Sequence, residues 1–431
     1  LFQSPYSKIY LPTFVCRIVQ ATLKSGLHPS SPYGFAVFGT ILCVLGKVDE
    51  GYQYGVLAVR LLDALGAVSL ESIVTLAVQA TIFHWKVHYK DALSPLWNGY
   101  KSGMETGHPD HAFANAVSWS VLSYCSGTKL PELSRQLDDL CRGAKEYNQT
   151  MALMSLQTLH QLVMNLMGLA NDPLTLRGEA FDPGTTMDND EQHQQSPQFK
   201  QQSRKRDTNP DMSLDIVLLR RRLELAYLLH SAKLEELMLE FESIKDQGGS
   251  DDSKSHVSHV REVFVSALCY MRLARSKGRY KKAAKKLIAL MSKYCQRGAV
   301  SCNHMLLILQ AEQESMLAAS NKPGKNNHNH SNVDGNTNNN KSIRRIPSGV
   351  RSSPSSASSS SSRRRLHDRA IAAAAKEGFL GDEALANELA GDLSLRQNDP
   401  GNAKRYYLRA FGLYQEWGAK AKVQQLIASH G

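Results

Sequence analysis

The sequence predicts an all-α fold in which antiparallel helix pairs stack into a solenoid. The first observation is a spacing in the C-terminal stretch Phe379–Ala428, where Gly391 is followed twelve residues later by Ala403, and then by Tyr407 and Ala410. The last three residues stand at i, i+4 and i+7 and therefore share one helix face. Small residues at this spacing are typical of two antiparallel helices that cross closely.

The same spacing recurs upstream, which is the second observation. It is carried by Gly39, Gly51, Gly55 and Ala58, by Ala80, Ala92, Leu96 and Gly99, and by Met271, Ala283, Leu287 and Leu290. The third observation is turn chemistry between predicted helices, such as the NDPGN run at Asn398–Asn402. A unit of two such helices cannot bury its apolar face alone. The chain is therefore predicted to be a tetratricopeptide-like α-solenoid.

Helical periodicity places the individual elements along the chain. The predicted helices are Leu11–Ser25, Phe35–Leu45, Tyr52–Leu65, Leu70–His88, Tyr89–Thr106, Ala112–Tyr124, Leu130–Tyr147, Thr150–Leu169, Leu214–Leu229, Ala232–Ile244, Val257–Ser276, Tyr280–Tyr294, Asn303–Ala319 and Leu366–Lys376, followed by the C-terminal pair. The glycines of the first pair lower helix propensity by ~1 kcal/mol each but let the helix axes approach closely. Four methionines at helical spacing, Met151, Met154, Met164 and Met167, are predicted to fill the core.

Two stretches interrupt the helical pattern. Pro183–Pro210 is rich in Gln, Asp and Ser, and Asn321–Arg365 is an Asn/His/Gly tract followed by Ser and Arg. The second stretch is almost free of large apolar residues, and both are predicted to be disordered. The expected organisation is a helical-repeat array over 1–182, an insertion over 183–212, central repeats over 213–320, a linker over 321–365 and a C-terminal unit over 366–431.

The serine tract Ser342–Ser362 lies among arginines, a context that suits kinases. Phosphorylation there would add about −1.5 to −2 charge per site. An inert tether is the alternative.

Composition bounds the location of the protein. The seven cysteines are scattered, include no C-x-x-C pair and lie mostly in apolar helical runs, which predicts reduced, buried thiols and a cytoplasmic or nuclear protein. The longest apolar run, Phe35–Gly46, is shorter than the roughly 18–20 residues that cross a bilayer. The N-terminus has neither a starting Met nor the layout of a signal peptide, so we expect a longer parent polypeptide.

The sequence lacks the motifs of phosphoryl transfer. Gly46–Lys47 is the best candidate for the end of a P-loop, but Ile41 stands where the first glycine belongs and Val48 replaces the Ser or Thr. There is no G-x-G-x-x-G, H-R-D or D-F-G motif. We therefore expect no catalytic residues, no cofactor and no enzymatic activity in this chain.

Two groups of histidines were weighed as metal ligands. His84 and His88 stand at i, i+4, a spacing that can hold a metal ion, but no third ligand follows and packing or capping is the favoured interpretation. A cryptic metal hydrolase at this pair is the enzymatic alternative. His108 and His111, beside Asp110, are interpreted as turn and helix-start residues. No metal site is predicted.

Ten Lys and Arg residues lie between Arg272 and Arg297 with no Asp or Glu among them, which nearly equals the net charge of +11. The favoured interpretation is a solvated helix face. A docking surface for an acidic partner domain is the second. Nucleic acid is the third, and it is disfavoured because only Tyr280 and Tyr294 could stack on bases.

Seven segments, which follow the same order along the chain, resemble a known family. They are GFAVFGTILCVLGKVDEGYQYGVLAVRLL (Gly34–Leu62), HWKVH (His84–His88), LSPLWNGYKSGMETG (Leu93–Gly107), LRGEAFD (Leu176–Asp182), NHMLLILQAE (Asn303–Glu312), EGFLGDEALANELA (Glu377–Ala390) and LYQEWGAKAKVQQL (Leu413–Leu426). Together they look like the helical-repeat region of very large signalling proteins, which join a serine/threonine kinase domain, an AAA-type ATPase module and often a GAF domain and a histidine-kinase core. The match spans nearly the whole chain except the two insertions, and Leu214–Lys286 is similar only loosely.

The resemblance implies a function in signal transduction. The chain would be a non-catalytic scaffold that relays signals between the kinase and ATPase modules of its own polypeptide or binds partner proteins. The alternative is a free-standing tetratricopeptide adaptor that binds peptide segments of its partners in a concave groove.

Overall fold

We describe the protein from a computed structural model, which defines residues 5–182, 210–246, 256–320 and 356–430. Over these residues the chain forms seventeen α-helices and no β-strand, which confirms the predicted all-α class. The first array comprises α1 (Pro5–Ser25), α2 (Ser31–Val44), α3 (Val48–Leu65), α4 (Glu71–Thr81), α5 (Tyr89–Glu105), α6 (Pro109–Cys125), α7 (Leu130–Glu146) and α8 (Thr150–Met167). The second array comprises α9 (Pro210–Leu228), α10 (Leu234–Asp246), α11 (Ser258–Ala274), α12 (Lys281–Gln296), α13 (Asn303–Ser320), α14 (Ser356–Glu377), α15 (Leu380–Arg396), α16 (Pro400–Trp417) and α17 (Lys420–His430).

The helices form an inner and an outer layer. The inner helices α2, α4, α6, α8, α9, α11, α13 and α15 each pack against the next. Seven outer helices each pack between the two helices that flank them in the chain. They are α3, α5, α7, α10, α12, α14 and α16. This repeated arrangement is the predicted solenoid of helix pairs.

The two arrays pack against each other along their inner layers. Helix α6 contacts α11, and the C-terminal helix α17 packs on α8. As a result α6, α11 and α15 are buried over most of their surface. Backbone contacts also join the arrays, because Tyr89 N donates a 3.0 Å hydrogen bond to Ser301 Oγ and Trp417 Nε1 donates one of 3.1 Å to the Thr128 carbonyl. The solenoid is therefore closed on itself.

The recurring small residues mark close helix crossings, as predicted. A Cβ atom added at Gly51 would lie 2.7 Å from the carbonyl oxygen of Gly39 and 2.5 Å from Cys43 Sγ. A Cβ atom at Gly391 would lie 2.6 Å from the Tyr407 ring. Neither position leaves room for a side chain. The spacing therefore marks the places where α2 contacts α3 and where α15 contacts α16.

The predicted helix Leu70–His88 is wrong in its second half. Helix α4 ends at Thr81, and a short 3₁₀ turn, Phe83–Trp85, follows. The Thr81 hydroxyl donates a 2.6 Å hydrogen bond to the Ala77 carbonyl, and the Ile82 N–H closes the helix with a 3.1 Å hydrogen bond to the Val78 carbonyl. This break turns His84 and Trp85 into the core, where both are buried.

The NDPGN turn begins a helix as well as ending one. Asn398 adopts φ +58°, and the Asp399 side chain accepts a 3.2 Å hydrogen bond from Asn402 N at the start of α16. Pro400 occupies the first helical position, where its missing N–H is not needed.

Two further expectations need correction. Helix α14 starts at Ser356, so 356–365 of the tract predicted to be disordered is helical, and its Arg364 pairs with Asp399. Met164 is buried as predicted, but Met151 is 49% exposed. The rest of the predicted insertions, 183–209 and 321–355, lies outside the described residues. No helix in the described ranges is long and apolar enough to span a membrane.

Candidate functional site: the charged interior

Buried charged groups join helices of both arrays at the point where the inner layers meet. Arg261 on α11 binds Glu224 on α9 at 2.8 Å and Asp382 on α15 at 2.6 Å. Tyr124 on α6 donates a 3.0 Å hydrogen bond to the same Glu224, and His304 Nε2 on α13 lies 2.8 Å from Asp382 Oδ2. The Arg261 guanidinium thus ties α9, α11 and α15 together directly, and Tyr124 and His304 add α6 and α13 to the network.

The electrostatics of this cluster favour its ionised form. Burial opposes ionisation of Asp382, but Arg261 and the hydrogen bond from His304 outweigh burial and lower the pKa of this carboxyl to about 2. Burial likewise disfavours the Arg261 cation, yet Asp382 and Glu224 raise its pKa well above the usual value. The charges are therefore fixed at neutral pH.

A second cluster anchors the C-terminal helix. Lys422 on α17 donates hydrogen bonds of 2.7 Å to Glu388 Oε1 on α15 and 2.6 Å to the Leu228 carbonyl oxygen at the end of α9. Glu388 also accepts from Tyr414 at 2.8 Å and lies 3.0 Å from His230 Nε2. Burial opposes the charge on Glu388, but Lys422 and His230 lower the pKa of its carboxyl.

A polar cavity of about 180 Å³ lies beside the second cluster. It is lined by Tyr227, His230, Arg272, Arg275, Glu312, Leu389 and Asp392. The Arg272 guanidinium stacks on the Tyr227 ring at 3.9 Å and donates a 2.5 Å hydrogen bond to the Tyr227 carbonyl oxygen. Arg275 binds Glu312, whose other oxygen, Oε1, is buried and accepts no hydrogen bond within the part of the chain that the structure describes.

The interior holds charges in place and shields its potential nucleophiles. Burial raises the pKa of the Cys125 and Cys269 thiols to about 12, so neither is a thiolate at neutral pH. Burial also raises the pKa of Tyr124 and Tyr414. Chemically, the arrangement is suited to locking helices together.

The structure separates the roles of the two histidines His84 and His88. His84 is 2% exposed, and neither of its ring nitrogens has a hydrogen-bond partner among the described residues. Its pKa is lowered well below the usual value by burial and by the nearby His256 and His259. His88 caps the N-terminus of α5, accepting from Lys90 N at 3.2 Å, and its Nε2 lies 3.1 Å from Glu377. Both side chains therefore have the packing and capping roles that the sequence favoured.

The structure brings the side chains of His108, Asp110 and His111 together at the start of α6. Their ligand atoms lie within 4.8 Å of one another, and they form the one such group among the described residues. His111 Nε2 lies 3.5 Å from Asp110 Oδ2. The three residues occupy the first turn of α6, where the helix dipole disfavours a cation. Their positions match the predicted turn and helix start.

The basic stretch Arg272–Arg297 is divided by the fold. Arg272 and Arg275 line the interior cavity, and Lys277 and Arg279 both bind Glu235 on α10, at 2.6 Å and 2.7 Å. The remaining lysines project from α12 to the outside. The stretch is therefore not one continuous patch.

Sequence reasoning missed the buried charges. For Lys422 a signal was present, because it stands between Ala421 and Val423 inside a helical run. Arg261, Asp382 and Glu388 each have a polar or charged neighbour and give no such signal. The candidate P-loop end Gly46–Lys47 is a turn between two helices, whereas a P-loop follows a strand.

No protein-family model matches the chain, and no curated protein matches it.

Proposed function

We propose that the chain is a non-catalytic helical-repeat scaffold that relays signals between modules of a multidomain ATPase/protein-kinase polypeptide. The observation that carries the proposal is the charged interior, which locks the helices of the second array together and reaches the first array through the Tyr124–Glu224 hydrogen bond. The segments that resemble signalling proteins occur in the same order along the chain as in those proteins. This resemblance supports a multidomain kinase and ATPase as the parent protein, with this chain between the catalytic modules.

The relay would act through rigidity. Removing one partner of a buried ion pair typically costs 3–5 kcal/mol, because the remaining charge is left uncompensated. Arg261 and Lys422 each bind helices that are distant in the chain but belong to the second array, so these pairs hold that array together as one body, and the Tyr124–Glu224 hydrogen bond joins it to the first array. A displacement imposed at one array is therefore passed to the other.

The closed packing bears on the adaptor alternative. A peptide groove on the inner layer would need exposed surface on α6, α11 and α15, and these helices are buried over most of their length. Partner proteins of this chain are therefore proposed to bind its outer helices.

The size of the native polypeptide tests the proposal. We would blot cells of the source organism with an antibody raised against 379–431. The proposal expects a band well above the 47.8 kDa of this chain. A single band near that mass would overturn the multidomain part and leave a solitary scaffold.

A coupling experiment tests the relay itself. In the full-length protein, Tyr124→Phe removes the hydrogen bond from the first array to Glu224, and it should weaken the dependence of kinase output on ATPase turnover while leaving each module active alone. An unchanged dependence would show that the signal takes another route.

A further inference from the structure

The outer face of α12 carries positive charge without compensation. Lys282, Lys285, Lys286 and Lys293 are exposed, and none forms an ion pair with any described residue. Helix α12 contains no Asp or Glu at all. The bases just before it are paired, because Lys277 and Arg279 share Glu235.

This arrangement is unfavourable for the isolated helix. Lys282 stands in the first turn, where the helix dipole favours negative charge, and no acidic residue accompanies it there. Lys282 and Lys286 are also an i, i+4 pair, and like charges at this spacing destabilise a helix. The lysines thus lie at positions where they destabilise the helix. They are not needed for its packing, which is provided by buried residues such as Ala284, Ile288 and Met291.

The shape of the surface favours one class of partner. Lys282 and Lys293 are eleven residues apart, so the four ammonium groups follow about 16 Å of helix. No large apolar residue of α12 is exposed, and its one aromatic residue, Tyr294, is buried. The surface therefore lacks the apolar anchors of a membrane-binding helix and the stacking rings of a single-strand binder. Carboxylates spaced along a protein segment complement it directly.

We propose that the lysine face of α12 is a docking surface for an acidic segment of a partner protein, with Glu or Asp side chains at helical spacing. The proposal deepens the proposed scaffold function, because it places the partner on the outer layer. It does not depend on a multidomain parent, so a negative result here would leave that question open.

Fluorescence anisotropy on the full chain tests the proposal. The probe is a labelled 20-residue helical peptide with glutamates at i, i+3, i+4 and i+7, and the same peptide with glutamines is the ligand control. The test variant replaces all four lysines by glutamine. The matched variant replaces four equally exposed residues of the first array by glutamine: Lys24, Arg60, Lys101 and Lys145. It therefore removes the same net charge from a different surface.

The two variants are expected to differ sharply. The test variant should bind the glutamate peptide roughly 10-fold or more weakly than the parent chain, because four exposed pairs are lost. The matched variant should change the affinity by less than about 2-fold. Equal losses in both variants would overturn the proposal, since binding would then follow net charge alone. Tighter, α12-dependent binding of polyuridylate or of phosphatidylserine vesicles at the same salt would overturn it in favour of a different polyanion.

Discussion

Lys422 and Glu388 form a salt bridge of 2.7 Å in which both side chains are 1% exposed. Lys422 comes from the C-terminal helix α17, and its third hydrogen-bond partner besides Glu388 and the Leu228 carbonyl is Gln425. The pair therefore fixes the end of the second array onto both α15 and α9. The contribution of the pair to the free energy of unfolding depends on both charges being present.

Removal of the lysine alone should destabilise the protein strongly. Lys422→Met keeps the length of the side chain but leaves the Glu388 carboxylate buried with only His230 and Tyr414 as partners. We expect a loss of about 3–5 kcal/mol in the free energy of unfolding, measured by urea denaturation.

The double variant Lys422→Met/Glu388→Leu is the control. It removes both charges and should recover most of that loss, since an apolar pair can replace a buried ion pair at little cost. If the double variant is as unstable as the single one, packing rather than charge accounts for the effect.

The crossing of α2 and α3 gives a second prediction. Gly51→Ala would put a methyl group 2.7 Å from the Gly39 carbonyl oxygen, which is backbone and cannot turn aside. We expect a loss of about 1–3 kcal/mol in unfolding free energy. Gly412→Ala in α16 is the matched control, because no atom lies within 4 Å of the added Cβ, and it should gain about 0.5–1 kcal/mol from helix propensity. Similar effects of the two substitutions would mean that α2 and α3 do not cross this closely.

The repeat pattern could be predicted from sequence because it depends on local spacing. Small residues at Gly39, Gly51 and Gly391 report where two helices touch, and the structure finds close contacts at each. The closure of the solenoid could not be predicted in this way. It depends on pairs such as Trp417 and Thr128, which are 289 residues apart and leave no periodic signal.

The candidate site shows the same limit. A lysine between Ala421 and Val423 indicates a buried or functional charge, but its partner Glu388 lies 34 residues away on another helix. The early end of α4 was missed because the apolar pattern continues through Ile82, Phe83 and Trp85, so no local signal marks the break after Thr81.

Cysteine reactivity provides a third prediction. Cys16 is exposed, Cys141 and Cys295 are half-buried, and Cys43, Cys125, Cys269 and Cys302 are buried. Burial raises the pKa of the Cys141 thiol to about 12 and that of the Cys295 thiol to about 11, so both are protonated at pH 8 and should react slowly. Burial raises the pKa of Cys43 to about 12, so its thiol is both inaccessible and protonated at pH 8. Under native conditions we expect one fast-reacting thiol per chain with Ellman's reagent.

Cys16→Ser should abolish that fast phase, and denaturant should release the buried thiols. Several fast-reacting thiols in the native Cys16→Ser variant would contradict the packing of the inner layer.

The buried histidines provide the fourth prediction, which concerns pH. The pKa of His84 is lowered well below 6.5 by burial and by His256 and His259, and burial lowers the pKa of His256 to about 4. The unfolded chain binds protons at these groups near pH 6.5 whereas the folded chain does not, so stability is present above pH 6.5 and falls as the pH drops towards 4. Each such histidine should cost about 1.4 kcal/mol by pH 5.5.

The variant His84→Leu isolates one of these contributions. Its unfolding free energy should decline by about 1.4 kcal/mol less than that of the parent chain between pH 7.5 and 5.5, because the residue can no longer be protonated in the unfolded state. The carboxyl of Asp382 has a pKa of about 2 in the folded chain. The stability that it contributes is lost only below about pH 4, which is outside this pH range. Gln53→Leu, at an exposed position without a titratable group, should leave the slope unchanged. Parallel pH profiles for the parent chain and His84→Leu would show that His84 is solvated in the folded protein and would place the α4–α5 turn outside the core.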